Sequence, residues 1–262
     1  MKNPIRAAAI QFNISLGDVA ANLDKALSAL DRVHHQSAQL VVLPEMWSTG
    51  YDYKHLANLA ERTPEIVQRL CKASAASGMV VVGSLPELAN GKIFNTAYVI
   101  DRGDLIDSYR KLHLFSTMRE DEFLAAGERA LVAETSLGRL GIAICYDLRF
   151  PELFRKLALE GAEIICIPAE WPKPRQEHWK TLLRARAIEN QLFVVAANCC
   201  GIQGKLDFFG LSQLISPLGT ILQMAEEEAT ELIACLDFKE MEQYRAQIKT
   251  LSDRRADIYG TP

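Results

Sequence analysis

The sequence predicts an α/β protein in which helices and mixed β-sheets form layers. Strand-length runs rich in β-branched residues recur along the chain, each bounded by Gly, Pro, Asn or a charge. Helical patterns alternate with these runs in the first half and again around residues 150–197. Near residues 93–110 and 211–237 two runs follow each other without a helix, which predicts sheets of mixed direction.

Ten segments are predicted to be strands because each combines β-branched residues with turn-forming neighbours. In chain order they are "IRAAAIQF", "QLVVLP", "GMVVVGS", "IFNTAYVI", "LIDSYR", "RLGIAIC", "AEIICIP", "QLFVVAAN", "GLSQLISP" and "ELIACLDF". No linker rich in Pro, Gly or Ser and no internal repeat divides them. We therefore expect a single domain over residues 1–262.

Four segments are predicted to be helices. "DVAANLDKALSALDRVHHQ" has apolar residues on one face and Asp18 as its N-cap. "TPEIVQRLCKASAASG" is expected to start with Thr63 as the cap and Pro64 at the first helical position, and to end on Gly78. "PELFRKLALEG" and "QEHWKTLLRARAIENQ" show the same pattern.

The composition excludes several classes of function. Hydrophobic residues make up 49% and charged residues 24% of the chain, and the net charge of -4 leaves no basic surface for nucleic acid. No run of about 18 apolar residues is present, so no membrane span is expected. The N-terminal apolar stretch is interrupted by Pro4 and Arg6 and is too short for a signal peptide, which predicts a cytoplasmic protein.

The six cysteines show no CxxC spacing, which argues against a disulfide framework and a zinc site. His178 and the pair His34 and His35 have no ligand-like companions. We therefore expect reduced thiols and no metal.

Three predicted strand ends carry reactive side chains, and functional groups gather at such ends in open α/β sheets. "QLVVLPEMW" delivers Glu45, "LIDSYRKLHLF" delivers Lys111, and "RLGIAICYD" delivers Cys145. Taken singly, they read as an exposed acid, a solvated charge and a core thiol. Together, an acid, an amine and a thiol at separate strand ends can meet in one pocket.

The segments "LPEMW", "YRKLHLF" and "GIAICYDLRFPE" closely resemble, in order and spacing, the three signature segments of the nitrilase superfamily, the carbon-nitrogen hydrolases. The resemblance extends from "AAAIQF" to "DRRADIYG". It implies a four-layer αββα sandwich, no cofactor, and a Glu-Lys-Cys triad that falls on Glu45, Lys111 and Cys145.

Such a triad has a chemical rationale. A thiol with a pKa of about 8.5 is mostly protonated at neutral pH, so a base must take its proton as it attacks an amide. Glu45 fills that role if burial brings its pKa towards neutrality. Lys111 and the backbone N–H of Tyr146 would stabilise the oxyanion, and an acyl-thioester on Cys145 would follow.

The family also has a second glutamate between the lysine and cysteine segments. "STMREDEFLAAGE" offers three acids there, and the register against Gly127 selects Glu120. Its implied role is to hold the substrate amide nitrogen and the incoming water. The alternative is a solvated acid in a charged loop.

The segments "CYDLRFPE" and "PAEWPKPRQEHWKTLLRARAIENQLFVVAAN" resemble the compact omega-amidase branch, which acts on 2-oxoglutaramate or 2-oxosuccinamate. Such a substrate carries a distal carboxylate that a guanidinium binds well. Arg149 is the first candidate for this contact, followed by Arg175 and Lys173, unless Arg149 pairs with Asp147 or Glu152. The pocket wall is expected to include Trp171 and Tyr51.

Other functions stay open at this stage. One is hydrolysis of another small amide, such as an N-carbamoyl amino acid, or of a nitrile. A non-catalytic scaffold would have no chemical reason to keep the four reactive side chains, and a thiol redox protein would need a nearby resolving cysteine. Arg186 lies on a helical face with Trp179, so it is either paired at depth or at a subunit contact. The resemblance favours the contact, and with it a homodimer or a higher homo-oligomer.

Overall fold

The computed structural model describes residues 2–260, in which fourteen strands and eight α-helices are present. The strands are β1 (Ile5–Gln11), β2 (Leu40–Val42), β3 (Val80–Ala89), β4 (Lys92–Asp101), β5 (Asp104–Arg110), β6 (Leu131–Thr135), β7 (Gly138–Ile142), β8 (Ile164–Ala169), β9 (Phe193–Asn198), β10 (Cys200–Gln203), β11 (Leu206–Phe209), β12 (Gln213–Ile215), β13 (Ile221–Met224) and β14 (Thr230–Leu236). The α-helices are α1 (Val19–His35), α2 (Leu56–Ala60), α3 (Thr63–Ser77), α4 (Glu120–Phe123), α5 (Pro151–Leu159), α6 (Gln176–Asn190), α7 (Phe238–Gln247) and α8 (Ala256–Tyr259). Two short 3-10 helices span Ser116–Met118 and Cys145–Arg149.

The strands form two six-stranded sheets and one hairpin. The first sheet has the order β14-β1-β2-β3-β4-β5, and the second has the order β13-β12-β9-β8-β7-β6. In each sheet a central group of three strands is parallel, β1-β2-β3 in one and β7-β8-β9 in the other, while the flanking pairs are antiparallel. The prediction of mixed sheets is therefore confirmed.

The two sheets pack face to face, and helices cover their outer faces. Along β1, Ala7 and Ala9 enter the core between the sheets, whereas Ala8 and Ile10 face the helix side, as the two-residue period of a strand requires. Helices α1 and α3 cover the first sheet, and α5 and α6 cover the second. This is the four-layer αββα sandwich that the resemblance implies.

The helix ends follow the predicted chemistry with one exception. Asp18 caps α1 by accepting a hydrogen bond from the amide of Ala21 at 3.1 Å. Gly78 ends α3 in the left-handed conformation. The prediction that Thr63 caps α3 is wrong, because Thr63 is the first helical residue and its hydroxyl donates to the carbonyl of Pro86 instead. Pro64 is therefore the second helical residue and not, as predicted, the first.

Arg186 of α6 is paired within the chain. Its guanidinium donates to the carbonyl oxygen of Leu148 from Nε at 3.1 Å and from Nη2 at 2.8 Å, and Nη1 lies 2.9 Å from a carboxylate oxygen of Glu189. Of the two alternatives for this buried arginine, the observed pairing is the one at depth. Arg186 therefore supplies no support for a subunit contact.

Several elements were not predicted from the sequence. They are the strands β6, β10, β11 and β13 and the helices α2, α4, α7 and α8. Most are four or five residues long, so hydrophobic periodicity has too few positions to register. Within residues 2–260, no helix has the length and apolar character needed to cross a membrane.

Candidate active site

The three predicted reactive residues lie in the segments that directly follow strands of the two sheets. Glu45 follows β2 and Lys111 follows β5, both in the first sheet, while Cys145 follows β7 of the second sheet. The amide of Glu45 donates to the carbonyl of Ala169, the last residue of β8, at 3.3 Å. This bond ties the loop after β2 to the second sheet and brings the strand ends together.

The four side chains predicted to be catalytic form one buried cluster. Lys111 Nζ lies 2.8 Å from Glu45 Oε1 and 2.8 Å from Glu120. Cys145 belongs to the same cluster, because the charges of Glu45 and Lys111 both act on the pKa of its buried thiol. Glu120 is 2% exposed, which rules out the alternative of a solvated loop acid.

Further donors surround Glu45. The hydroxyl of Tyr51 donates to Glu45 Oε1 at 2.7 Å, and Asn95 Nδ2 donates to the same oxygen at 2.7 Å. The amide N–H of Glu170 donates to Glu45 Oε2 at 2.7 Å. These contacts fix both oxygens of the carboxylate, so Glu45 presents a defined geometry to the thiol of Cys145.

The pKa of Glu45 lies below its ordinary value, contrary to the expected rise. Burial is the largest single influence and raises this pKa, but the charge of Lys111 and the hydrogen bonds from Lys111, Tyr51 and Cys145 together outweigh it. Glu45 is therefore ionised at neutral pH. A carboxylate already free of its proton is suited to accept one from the thiol.

The other titratable groups in the cluster have pKa values that are raised, in contrast to that of Glu45. Burial and the negative charge of Glu45 raise the pKa of Cys145 well above its ordinary value, so the sulfur carries its proton. Burial opposes the charge on Lys111, but Glu120 and Glu45 raise its pKa well above the ordinary value and keep it cationic. Burial raises the pKa of Glu120, with Lys111 opposing and Glu45 adding to the rise.

The backbone at Cys145 turns sharply. Cys145 has φ of 44°, in the left-handed region that non-glycine residues seldom adopt, and it opens the 3-10 helix Cys145–Arg149. Asp147 holds this turn by accepting a hydrogen bond from the amide of Ile144 at 2.9 Å. The amide of Tyr146 belongs to the first turn of the helix, where backbone N–H groups have no helical acceptor. It is thus next to the sulfur and available to an oxyanion.

A narrow pocket opens onto Cys145. Its lining includes Glu120, Arg149, Trp171 and Arg175. The guanidinium of Arg149 lies 4.9 Å from the ring centroid of Trp171, and Arg149 Nη2 lies 3.2 Å from Nδ1 of His178. The walls are therefore aromatic and cationic, which suits a slim substrate with a negative end.

Neither pocket arginine forms a salt bridge with a carboxylate inside residues 2–260. The alternative pairing of Arg149 with Asp147 or Glu152 is not observed, because Asp147 is occupied by the turn around Cys145. The guanidinium of Arg175 instead lies 5.4 Å from the ring centroid of Phe115.

Two other residues predicted to contact the substrate are engaged by groups of the protein itself. Lys173 Nζ lies 2.8 Å from Glu227 and 3.3 Å from Asp207, so an exposed charge network already engages it. Tyr51 was expected at the pocket border, but its hydroxyl lies between Glu45 and Glu120, at 2.7 and 3.1 Å. Tyr51 thus orients the acids.

Three residues of the site were missed by the sequence analysis. Asn95 lies inside the strand β4, where a polar residue among apolar neighbours was a usable signal. Asp147 was considered as a partner of Arg149, and nothing in the sequence pointed to its hydrogen bond with the amide of Ile144. Glu170 follows β8 as an acid at a strand end, the same signal that selected Glu45.

Gly127 supports the register that selected Glu120. Its amide donates to the carbonyl of Lys111 at 2.8 Å, and a Cβ atom at this position would collide with the carbonyl oxygen of Arg110. Glycine therefore lets the segment after Glu120 pack directly against the backbone at Lys111.

The fold and the site together define a class of enzyme. An αββα sandwich that places a protonated thiol, an ionised carboxylate and an ammonium group in contact has the groups needed for hydrolysis through a cysteine nucleophile. The family model of the carbon-nitrogen hydrolases matches residues 6–246, and the chain belongs to this family.

Known relatives agree with this membership. The 2-oxoglutaramate amidase of Bacillus subtilis (strain 168) is 40% identical over 253 residues, which cover 95% of this chain and 97% of that protein. The omega-amidase NIT2 of Bos taurus is 33% identical over 267 residues, covering 97% and 96%. The crystal structure of Saccharomyces cerevisiae Nit3, a member of branch 10 of the nitrilase superfamily, superposes with a TM-score of 0.90 at 31% identity over 96% of this chain and 97% of that one.

Proposed function

We propose that this enzyme is an omega-amidase that hydrolyses the side-chain amide of 2-oxoglutaramate or 2-oxosuccinamate to the acid and ammonia. The observation that carries the proposal is the buried cluster in which Lys111 binds both Glu45 and Glu120 beside the pocket that contains Cys145. The names of the relatives support the choice of substrate, as do the two pocket arginines, which have no carboxylate partner among the described residues.

In the first half of the proposed reaction, Glu45 takes the proton of the Cys145 thiol as the sulfur attacks the amide carbon. The carbonyl oxygen becomes an oxyanion, which the ammonium of Lys111 and the N–H of Tyr146 stabilise. Glu45 then passes its proton to the amide nitrogen. The carbon–nitrogen bond breaks, ammonia leaves, and an acyl-thioester on Cys145 remains.

In the second half, water enters the space that ammonia has left. Glu45 takes a proton from this water as its oxygen attacks the thioester, and Glu120 orients the water through its carboxylate. The tetrahedral intermediate collapses, the carbon–sulfur bond breaks, and the sulfur regains its proton from Glu45. The products are a carboxylic acid and the enzyme in its starting state, and no cofactor takes part in the proposed cycle.

The distal carboxylate of the substrate is assigned to Arg149, with Arg175 as the second ligand and the ring of Trp171 as the wall of the acyl pocket. Both guanidinium groups border the pocket that contains Cys145. A planar guanidinium with free donors binds a carboxylate in a bidentate manner. An N-carbamoyl amino acid also has a carboxylate, so it is the main competing substrate.

Ammonia release from a panel of amides tests the proposal. The panel contains 2-oxoglutaramate, 2-oxosuccinamate, an N-carbamoyl amino acid and butyramide, with Cys145→Ala as the inactive control. We expect the two 2-oxo acid amides to have the highest kcat/KM. Turnover of the carbamoyl compound without ammonia from 2-oxoglutaramate would reject the substrate, and no turnover of any amide would favour a scaffold.

The variant Arg149→Met tests the carboxylate contact. Methionine keeps an unbranched apolar stem, so the expected effect is a rise of roughly 10- to 100-fold in KM for 2-oxoglutaramate. Butyramide has no carboxylate, and its kinetics are expected to stay within about threefold of the wild type. An equal loss on both substrates would show that Arg149 supports the pocket rather than the substrate.

We also propose that the chain works as a cytoplasmic homodimer or higher homo-oligomer. The outer surface of α6 supports this assembly, because exposed Ile188 lies beside Ile221 and Met224 in an open groove. Light scattering coupled to size exclusion would measure the mass. A monomer at micromolar concentration would contradict the proposed assembly and leave the chemistry untouched.

A further inference from the structure

Glu170 has a buried carboxyl group without a hydrogen-bond partner. The residue follows β8 and is 1% exposed. Within residues 2–260, neither Oε1 nor Oε2 finds a donor or acceptor. Buried polar atoms in folded proteins are almost always hydrogen-bonded, so an unmatched pair of oxygens needs an explanation. Their hydrogen-bonding capacity is free for a molecule that enters the site.

The position of Glu170 places this carboxyl beside the reaction. Glu170 lines the same pocket as Cys145 and Arg149. It also borders an adjoining cleft of about 360 Å³ that is lined by Tyr51 and Tyr53. The amide of Glu170 is bonded to Glu45 at 2.7 Å, which fixes its backbone relative to the general base. A substrate held at Cys145 would therefore lie beside the carboxyl group of Glu170.

Burial, with help from the surrounding charges, keeps this carboxyl in its acid form. Glu170, Glu45 and Glu120 share a buried region with a single ammonium group, that of Lys111. Burial raises the pKa of Glu170 well above its ordinary value, and the charges of Glu45 and Glu120 add to the rise against the opposing charge of Lys111. A protonated carboxyl has one O–H donor and a carbonyl acceptor.

Two other titratable groups that interact with Glu170 do not favour its ionised form. Burial is the main cause that raises the pKa of Tyr53 above its ordinary value, and it does the same for the thiol of Cys199. Both groups are therefore neutral. An uncharged donor beside an anionic cluster can approach a substrate oxygen that an ionised carboxylate would repel.

We propose that Glu170 is a specificity-determining residue that donates a hydrogen bond to the 2-oxo oxygen of the substrate. This inference rests on the proposed omega-amidase function. A ketone oxygen can only accept hydrogen bonds, so it matches a protonated carboxyl, while the neighbouring carboxylate of the substrate binds Arg149. A site built to hydrogen-bond one substrate group discriminates against the analogue that lacks it.

The test compares two substrates and two variants. Glutaramate has the same chain, amide and carboxylate as 2-oxoglutaramate but lacks the 2-oxo group. Glu170→Leu removes the donor at similar volume, and Glu170→Gln keeps a neutral donor and acceptor. For Glu170→Leu we expect kcat/KM to fall by roughly 10- to 100-fold on 2-oxoglutaramate and by less than about threefold on glutaramate. Glu170→Gln should stay within about fivefold of the wild type on both.

A stability measurement separates this role from a structural one. Because the carboxyl oxygens have no partners in the described chain, Glu170→Leu is expected to keep or raise the melting temperature. A lower melting temperature, or equal losses on the two substrates, would overturn the inference.

Two further results have distinct meanings. If the wild type releases ammonia from 2-oxoglutaramate but Glu170→Gln is as impaired as Glu170→Leu, the acid-form donor is refuted and the amidase function stands. If the wild type acts on neither substrate, the proposed function fails, and this inference fails with it.

Discussion

Two buried carboxylates flank Cys145, the proposed nucleophile, and their surroundings differ. Asp147 and Glu45 are both fully buried. Asp147 accepts hydrogen bonds from donors that hold the turn after β7, namely the Tyr109 hydroxyl at 2.7 Å, the Ile144 amide at 2.9 Å, the His113 amide at 3.1 Å and the His113 ring nitrogen at 2.7 Å. Two of these donors are backbone groups. Asp147 therefore works as a fixed part of the scaffold.

Glu45 is bonded mainly to side chains that can exchange or follow a proton. Its carboxylate accepts hydrogen bonds from the ammonium of Lys111 and the hydroxyl of Tyr51, and its charge raises the pKa of the Cys145 thiol. A carboxylate in equal burial is thus a structural anchor in one case and the proposed base in the other. Burial alone does not identify a catalytic acid, whereas the chemistry of its partners does.

The largest effect is expected for Glu45→Gln. Glutamine keeps the size of the side chain but cannot accept the thiol proton, so kcat/KM should fall by roughly 10²- to 10⁴-fold. Ammonia release at neutral pH measures this loss, and circular dichroism checks the fold. Activity within tenfold of the wild type would show that another group serves as the base.

The matched change Asp147→Asn should act on stability instead. Its new NH₂ group would face donors that now have an acceptor, and the free energy of unfolding should fall by about 1–3 kcal/mol. Urea denaturation gives this number. Activity per folded molecule is expected to fall less than in Glu45→Gln, and the reverse order would contradict the distinction between the two acids.

A finer comparison uses the two tyrosines that donate to these acids at the same distance, 2.7 Å. Tyr51→Phe removes a donor from Glu45 and should lower kcat/KM by roughly tenfold. Tyr109→Phe removes a donor from Asp147 and should lower the free energy of unfolding by about 1–3 kcal/mol. Kinetics and denaturation curves measured on both variants would show whether Tyr51→Phe changes mainly activity and Tyr109→Phe mainly stability.

The smallest effect is expected from pH. Because the pKa of Glu45 is lowered, the proposed base is ionised at neutral pH. Activity should fall only when the pH drops below 4.5, the ordinary pKa of a glutamate. The raised pKa of Cys145 keeps the transferable proton in place up to pH values above 9.0. Between about pH 6 and 8, kcat/KM should therefore be flat. An acid limb near pH 6 would mean that Glu45 titrates much higher than its contacts imply.

Long apolar strands and amphipathic helices leave clear periodic patterns, and these were sufficient for the α/β layers with mixed sheets and for the three strand ends. The four-layer αββα arrangement came from the resemblance to the carbon-nitrogen hydrolases. Short edge strands such as β13 leave none. Glu120 was selected by its register against Gly127, a position where only glycine fits against Arg110. The expectation of one domain over residues 1–262 stays a prediction.

Electrostatic detail escaped the sequence for a physical reason. The pKa of Glu45 depends on the balance between burial and several partners that come from distant segments, including Tyr51 and Lys111. Burial by itself predicted a rise, and the sum of the contacts gives the opposite direction. Arg186 is a similar case, since its acceptor, the carbonyl oxygen of Leu148, is a backbone atom that no residue type reveals.

The left-handed φ of 44° at Cys145 has a consequence for evolution at this position. A side chain in that region costs about 1 kcal/mol or more, a strain that glycine does not feel. The usual order, in which alanine gives a more stable protein than glycine, should therefore be reversed among inactive replacements of Cys145. Glycine would relieve the strain but remove the sulfur on which the proposed turnover depends, so selection for stability and selection for turnover pull against each other at one residue.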